Sequence, residues 1–197
     1  MILLDKCPIC NGQKLVKKID CIDYSTSKEK FTIVSCETCN FTFTNPRPKD
    51  ESLGEYYKSD MYISHTNNTK GLFNWMYQTV RNYAIGTKVS LLKIVKEKGV
   101  HLDIGCGTGE FLNACENEGF STKGIEPSAL ARQQAIDNFK LSVSENTDLE
   151  QFQNNEFDSI SMWHVLEHIP NLNKTIKQFE RILNTKGKVI IAHEFLF

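Results

Sequence analysis

The sequence predicts an α/β protein: a doubly wound, mostly parallel sheet with helices on both faces, preceded by a small N-terminal domain. Three observations carry this. From Val100 onward, short apolar runs alternate with helical patterns, the order expected of strand-helix-strand units. The first run, Val100 to Ile104, breaks at alternate glycines, Gly105, Gly107 and Gly109, before a helical pattern at Phe111, Leu112 and Cys115. Far ahead of these stand two Cys-x-x-Cys pairs, Cys7 with Cys10 and Cys36 with Cys39, separated by 25 residues.

Length and composition set the frame. A chain of 197 residues holds one domain of ordinary size plus an appendage, and it can bury a substantial core. With 23 basic against 24 acidic residues there is no surplus to attract nucleic acid or an anionic membrane. The longest apolar runs are four or five residues, too short to span a bilayer. Met1-Ile2-Leu3-Leu4 stops at Asp5 and Lys6, too brief for the apolar stretch of a signal peptide, so a cytoplasmic location with reduced cysteines is expected.

Residues 1–45 read as a zinc ribbon. Each Cys-x-x-Cys forms a knuckle that offers two thiolates to one tetrahedral Zn²⁺, at about 2.3 Å per bond, and strand-like runs such as Phe31 to Val34 lie between the knuckles. Asn11 and Asn40 follow the second cysteine of each pair, where the turn calls for positive φ, which asparagine tolerates best after glycine. A redox pair is the competing reading, disfavoured because two matched pairs occur together. Cys21, Cys106 and Cys115 are read as buried small apolar residues. Six lysines against five acids in this segment make no nucleic-acid footprint. The ribbon is therefore expected to be a mini-domain stapled by metal.

Residues 46–98 read as a linker and a helical cover. Pro46 and Pro48 enforce an extended exit, and Asp50 or Ser52 can cap a short helix carrying Leu53, Tyr56 and Tyr57. Thr66 to Gly71 is polar and turn-rich, expected to be a mobile loop. Between Leu72 and Lys98 the apolar positions Phe73, Met76, Val80, Tyr83, Val89, Leu92 and Val95 predict one broken helix or two, interrupted near Gly86 and packed on the sheet.

Residues 99–197 form the main domain. Strands are expected at 100–104, 120–125, about 140–143, 157–163 and 187–193, with a helix after each of the first four. Ligands of such sheets sit at the carboxyl ends of the strands, where the helix N-termini also point. The glycines let the backbone approach a ligand closely, but the dinucleotide fingerprint G-x-G-x-x-G needs its third glycine one residue beyond Gly109. The turn is off-pattern for a nicotinamide dinucleotide.

Asp103-Ile104-Gly105-Cys106-Gly107-Thr108-Gly109-Glu110-Phe111, taken with Gly124-Ile125-Glu126-Pro127-Ser128, closely resembles the motifs of class I S-adenosylmethionine (SAM)-dependent methyltransferases. The resemblance runs from about Val100 to the C-terminus. It implies a Rossmann-like sheet of strand order 3-2-1-4-5, with Gly105, Gly107 and Gly109 under the methionine moiety of SAM and Asp103, Cys106 and Thr108 among the cofactor-binding residues. Glu126, followed by Pro127, stands where the family's carboxylate grips the ribose hydroxyls. Asn146 or Asp148, after the third strand, takes the place of the adenine contact. The order of two Cys-x-x-Cys pairs, Asn45-Pro46-Arg47-Pro48 and Tyr56-Tyr57 is similar to a bacterial zinc-ribbon subgroup, many of them associated with sugar, capsule or lipopolysaccharide genes. The resembling fold adds a final antiparallel pair after its fifth strand. Here that pair has no counterpart, so a truncated form is expected, or a homo-oligomer or partner chain at the Lys188 to Ala192 edge, leaving Phe195-Leu196-Phe197 with no following element to pack on.

The last motif, Phe157-Asp158 to Trp163-His164-Val165-Leu166-Glu167-His168-Ile169-Pro170, resembles the family's fourth-strand motif. Residues 164–168 also match the H-x-x-E-H of inverzincin metalloproteases, but that signature needs a helix, whereas an apolar strand feeds into this one and Pro170 follows at once. Trp163 and His164 are placed at the strand end near SAM. His168 is placed to take a proton from an acceptor, with a histidine that fixes the loop by backbone hydrogen bonds as the alternative. The chemistry implied is methyl transfer to a small acceptor by in-line displacement, with a base needed only where the acceptor must lose a proton. A non-catalytic SAM- or metal-binding module and an RNA methyltransferase are the competing functions.

Overall fold

The computed structural model describes residues 1–24, 26–57 and 72–193. The chain divides into two units, residues 1–68 with 170–173 and residues 69–169 with 174–197. The expected loop at 66–71 and the terminal residues 195–197 lie outside the described residues. Among those described, no helix is long and apolar enough to cross a membrane.

The first unit is built on a three-stranded antiparallel sheet of β1 (Leu15–Ile22), β2 (Lys30–Cys36) and β3 (Thr42–Thr44), with β2 in the centre. Only β2 turns buried, at Val34, Ser35 and Cys36, which carries the strand into the second knuckle. A 3-10 helix, Asp50–Tyr57, follows where the short helix was expected. Tyr56 meets Phe31 edge to face at 6.0 Å and donates its hydroxyl to Glu29 at 2.6 Å. Cys21 is exposed, contrary to expectation, because β1 is an edge strand and six of its eight residues face solvent.

The second unit holds α1 (Leu72–Val95) and a five-stranded parallel sheet: β4 (Val100–Ile104), β5 (Ser121–Ile125), β6 (Val143–Ser144), β7 (Phe157–Trp163) and β8 (Leu183–Ala192). The spatial order is β6-β5-β4-β7-β8, so counting from the first strand of this sheet it is 3-2-1-4-5. α2 (Glu110–Asn117) follows β4, α3 (Ala129–Phe139) follows β5, and α4 (Leu172–Ile182) lies between β7 and β8. The chain leaves β4 for β5 on one side and reaches β7 on the other, so the crevice where an open sheet binds its ligand falls at the carboxyl end of β4.

Strand alternation gives β4 two different faces. Leu102 and Ile104 join Ile125, Ile160, Met162, Phe157, Phe179 and Ile182 in one core, while His101 and Asp103 point to the other. That second face is closed by Val89 and Leu92 of α1, Phe111 and Cys115 of α2, Phe120 and Ile190.

Four further expectations are corrected. α1 is continuous through Gly86, since a single helical glycine costs only about 1 kcal/mol and the buried Val89 and Leu92 hold the following turns. Burial also selects the face of Val89 and Leu92, leaving Met76, Val80 and Tyr83 at 52, 64 and 78% exposure. The third strand has two residues, not four: Lys140 takes φ +60 to terminate α3, and Leu141 turns into a core cluster with Leu112 and Ala135. After it comes a 3-10 turn, Leu149–Gln151, in place of a helix. Side chains stop the helix there, with Gln151 Nε2 donating to the Asn146 and Asp148 carbonyls at 2.6 and 2.9 Å.

Candidate functional site

In the first unit the two knuckles are near copies. Asn11 N–H donates to the Cys7 carbonyl at 3.0 Å and Asn40 N–H to the Cys36 carbonyl at 2.8 Å, each asparagine with φ +60. Cys7 Sγ lies 3.6 Å from Cys39 Sγ, Cys10 Sγ 3.6 Å from Cys36 Sγ, and all four sulfurs lie within 4.8 Å of one another. A tetrahedral site with 2.3 Å bonds has edges of about 3.8 Å, so the donor set fits Zn²⁺. Burial pushes the Cys36 thiol up, but the Cys39 and Thr38 amides and neighbouring thiols outweigh it and draw it down to about 6. A Cβ on Gly12 would stand 2.9 Å from Cys36 Sγ, so a bare backbone is needed where the first knuckle closes on the second.

In the second unit the three glycines have φ of +75, +56 and +85 and serve different ends. A Cβ on Gly105 would meet Val165 Cγ2 at 2.5 Å, and one on Gly109 would meet Leu141 and Ala135 below 3 Å, so these two permit close packing of neighbouring elements. A Cβ on Gly107 would meet nothing within 4 Å. The middle glycine faces open space. Its N–H donates to Glu126 Oε2 at 2.8 Å, while Ser128 N–H donates to Glu126 Oε1 at 2.8 Å and the Ser128 side chain caps α3. Glu126 is 5% exposed, so a buried carboxylate at the end of β5 is tied directly to the turn after β4. Pro127 lies between, its carbonyl and that of Glu126 held by Arg132.

Of the other residues in the motif, Asp103 is buried beneath the turn and Cys106 turns its side chain into the core, leaving only its backbone on the turn. Burial raises the Asp103 carboxyl to about 7, against the opposing effects of Ser161, which donates to it at 2.5 Å, and of the Lys88 ammonium. Thr108 donates to Glu110 at 2.6 Å.

β7 delivers its end to the same place, since Val165 packs on Gly105. Trp163 meets Phe111 edge to face at 5.5 Å, and Lys88 Nζ lies 4.6 Å from the Trp163 ring centre. Among the described residues Trp163 Nε1 is a buried donor with no acceptor in the protein. His164 ends the strand at φ +58, its N–H donating to the Ala192 carbonyl at 2.7 Å, and its side chain is exposed. His168 ends a 3-10 turn, Leu166–His168, with an exposed side chain and its N–H donating to the Val165 carbonyl. Asn146 and Asp148 are exposed beyond β6. Their Oδ1 atoms cap local turns, accepting from the Asp148 and Glu150 amides.

Sequence reasoning missed four groups. Arg81 of α1 lies 2.5 Å from Glu110 and 3.2 Å from Thr108, which brings a guanidinium to the glycine turn. Lys88, two turns along α1, faces Trp163 and Asp103. Their spacing of seven places both on one helical face, a signal that the apolar pattern of α1 masks. His101, with Ser159 and Ser161, forms a buried polar row that the apolar look of both strands concealed. A cavity of about 310 Å³ also lies beside β5 and β6, lined by Lys123, Ser142, Ser144, Gln151, Phe152 and Glu156.

Comparison with known proteins agrees with this geometry. Residues 76–193 match a family model described as a methyltransferase domain. The chain is 33% identical over 101 residues to an uncharacterized methyltransferase of Alkaliphilus oremlandii, covering 49% of this chain and 46% of the relative. It is 28% identical over 131 residues to a ubiquinone biosynthesis O-methyltransferase of Haemophilus ducreyi, covering 61% of this chain and 50% of that one. It thus spans about half the length of these curated relatives. A crystal structure of a putative S-adenosyl-L-methionine-dependent methyltransferase from Methanococcus maripaludis superposes with a TM-score of 0.54 at 17% identity, over 66% of this chain and 68% of the other, a likeness of fold.

Proposed function

The chain belongs to the methyltransferase-domain family, and from that premise we propose that it transfers a methyl group from SAM to a small-molecule acceptor. The observation that carries this reading is the hydrogen bond between Gly107 and the buried Glu126 beside open space over Gly107. A carboxylate oxygen that already accepts one amide keeps a lone pair for a further donor, so Glu126 can hold vicinal hydroxyls while it fixes the turn. Gly105 to Gly109 supply backbone for close approach, and Arg81 and Trp163 Nε1 supply donors suited to a carboxylate. Asp103 supplies a counter-charge for an ammonium or sulfonium. The bound cofactor supplies a methyl group on a positively charged sulfur leaving group, so the protein's task is alignment more than activation. His168 is the proposed base for acceptors that must lose a proton, and His164 borders the same strand end. Asn146 or Asp148 is the proposed adenine contact through the side-chain atoms not used in capping.

For the first unit we propose Zn²⁺ held by Cys7, Cys10, Cys36 and Cys39, with a structural role because four thiolates leave no open position. A small acceptor is supported by relatives named as a ubiquinone biosynthesis O-methyltransferase and a demethylmenaquinone methyltransferase. The likeness of the front end to the zinc-ribbon subgroup supports a metabolite of a polysaccharide pathway. Calorimetry with S-adenosylhomocysteine (SAH) tests the cofactor site. Gly107→Val should abolish binding, and Glu126→Ala should weaken it by roughly 1.5–3 kcal/mol. Wild-type affinity in both variants would mean that the site lies elsewhere.

A further inference from the structure

Three polar side chains sit in the sheet where apolar ones would cost nothing to bury. His101, Ser159 and Ser161 are each 0% exposed. The parallel register sets His101 opposite Ser159 and Asp103 opposite Ser161, and alternation points all four to the face covered by α1 and α2. They connect in one line. Ser159 Oγ is 2.8 Å from His101 Nδ1, His101 Nε2 is 3.0 Å from Ser161 Oγ, and Ser161 Oγ is 2.5 Å from Asp103 Oδ1. Phe111 and Phe120 pack edge to face on the His101 ring, so the line is dry along its flank. Asp103 is the end of the line nearest the glycine turn.

We infer that Ser159, His101 and Ser161 form a directed hydrogen-bond chain that fixes the charge and orientation of Asp103, and that they are positioning residues for a cofactor's cationic amino-acid end. With the ring neutral and any carboxyl proton carried on Oδ1, the oxygen that faces Ser161, the valences allow two full arrangements. With Asp103 ionised, Ser161 must donate to it, His101 must therefore carry hydrogen on Nε2, and Ser159 donates to Nδ1. With Asp103 protonated, the carboxyl donates to Ser161, Ser161 donates to Nε2, and Nδ1–H donates to Ser159. The two differ by one proton overall and by which ring nitrogen bears hydrogen. The tautomer of His101 thus reports the charge of Asp103.

The surroundings leave Asp103 poised between these states. Lys88 of α1 favours the carboxylate, whereas burial and the Glu126 carboxylate at the end of β5 oppose it. Burial also keeps the His101 ring neutral, which the relay requires. A cation delivered to the turn would tip the line to the ionised arrangement. A row of apolar residues would bury more cheaply but would leave the carboxylate without its donor.

This inference rests on the SAM reading for its cation, so its test has an arm that needs no cofactor. In the full chain labelled with ¹⁵N-histidine and ¹³C-aspartate, the His101 nitrogens should exchange from the Nδ1–H to the Nε2–H pattern as pH rises. That change should track the Asp103 carboxyl shift. One tautomer throughout, or a change that does not follow Asp103, overturns the chain. Saturating SAH should hold the Nε2–H pattern to lower pH; failure of SAH to bind would count against the cofactor reading alone. Ser161→Ala should weaken SAH binding about tenfold near pH 7 and markedly less at pH 9. A loss equal at both pH values would make Ser161 structural and overturn the positioning role.

Discussion

His101 and Asp103 are two residues apart on one strand, and burial moves them in opposite senses. For His101, folding lowers the pKa from 6.5 to about 4, so its contribution to stability is full above 6.5 and is lost as pH falls toward 4. For Asp103, folding raises the pKa from 3.8 to about 7, so its contribution is full below 3.8 and is lost as pH rises toward 7. Each slope reaches at most about 1.4 kcal/mol per pH unit, with opposite signs, so the two cancel between about pH 4 and 6.5. In urea denaturation this pair should therefore add no net slope there in the wild type. Asp103→Asn should become less stable as pH falls through that window, and His101→Leu less stable as pH rises through it. At the other end of the site, His168→Ala should lower turnover by about 10²–10⁴ with SAH affinity unchanged if it is the base. Parallel losses of turnover and thermal stability would instead assign it to holding the loop.

At the scale of elements, α1 shows how packing overrides local punctuation. Gly86 suggested a break, but nothing lies within 4 Å of the Cβ it lacks, and Ser90 Oγ donates to its carbonyl at 2.8 Å within an unbroken helix. The glycine has no contact that requires it. Gly86→Ala should thus raise stability by about 0.5–1 kcal/mol, seen as a higher Tm with SAH binding unchanged. The loop after β6 makes the opposite point. Asn146, Asp148 and Gln151 bond to local backbone, and those bonds replaced the expected helix with a 3-10 turn.

At the scale of the whole molecule, two units use different means of stabilisation. The second has cores on both faces of its sheet, whereas the first buries few apolar residues beyond Val34 and its cysteines. Under the proposed zinc site, such a unit would depend on its metal staple. Cys36→Ser/Cys39→Ser, or a strong chelator, should therefore remove one zinc per chain and expose residues 1–57 to proteolysis. Full zinc retention by the double variant, measured by elemental analysis, would refute the site. β8 stands at the edge of the described sheet with Val189 and Ile191 at 38 and 42% exposure, the edge where a homo-oligomer or partner chain is proposed to pair.

The sequence by itself determined the features written in local spacing. The Cys-x-x-Cys knuckles with their positive-φ asparagines, the glycine turn, Glu126 at the end of β5 and the alternation of strand and helix are all settled within a few residues of backbone. They follow from steric freedom, valence and period. Tertiary structure decided what depends on neighbours distant in the chain. Which glycine faces open space, which face of α1 is buried, and that Arg81 reaches the turn and Lys88 reaches Trp163 all follow from tertiary packing, the last three from how α1 docks. The buried line from Ser159 to Asp103 belongs to the same class. Its members are 58 to 60 residues apart, and only the register of β4 against β7 brings their valences into line.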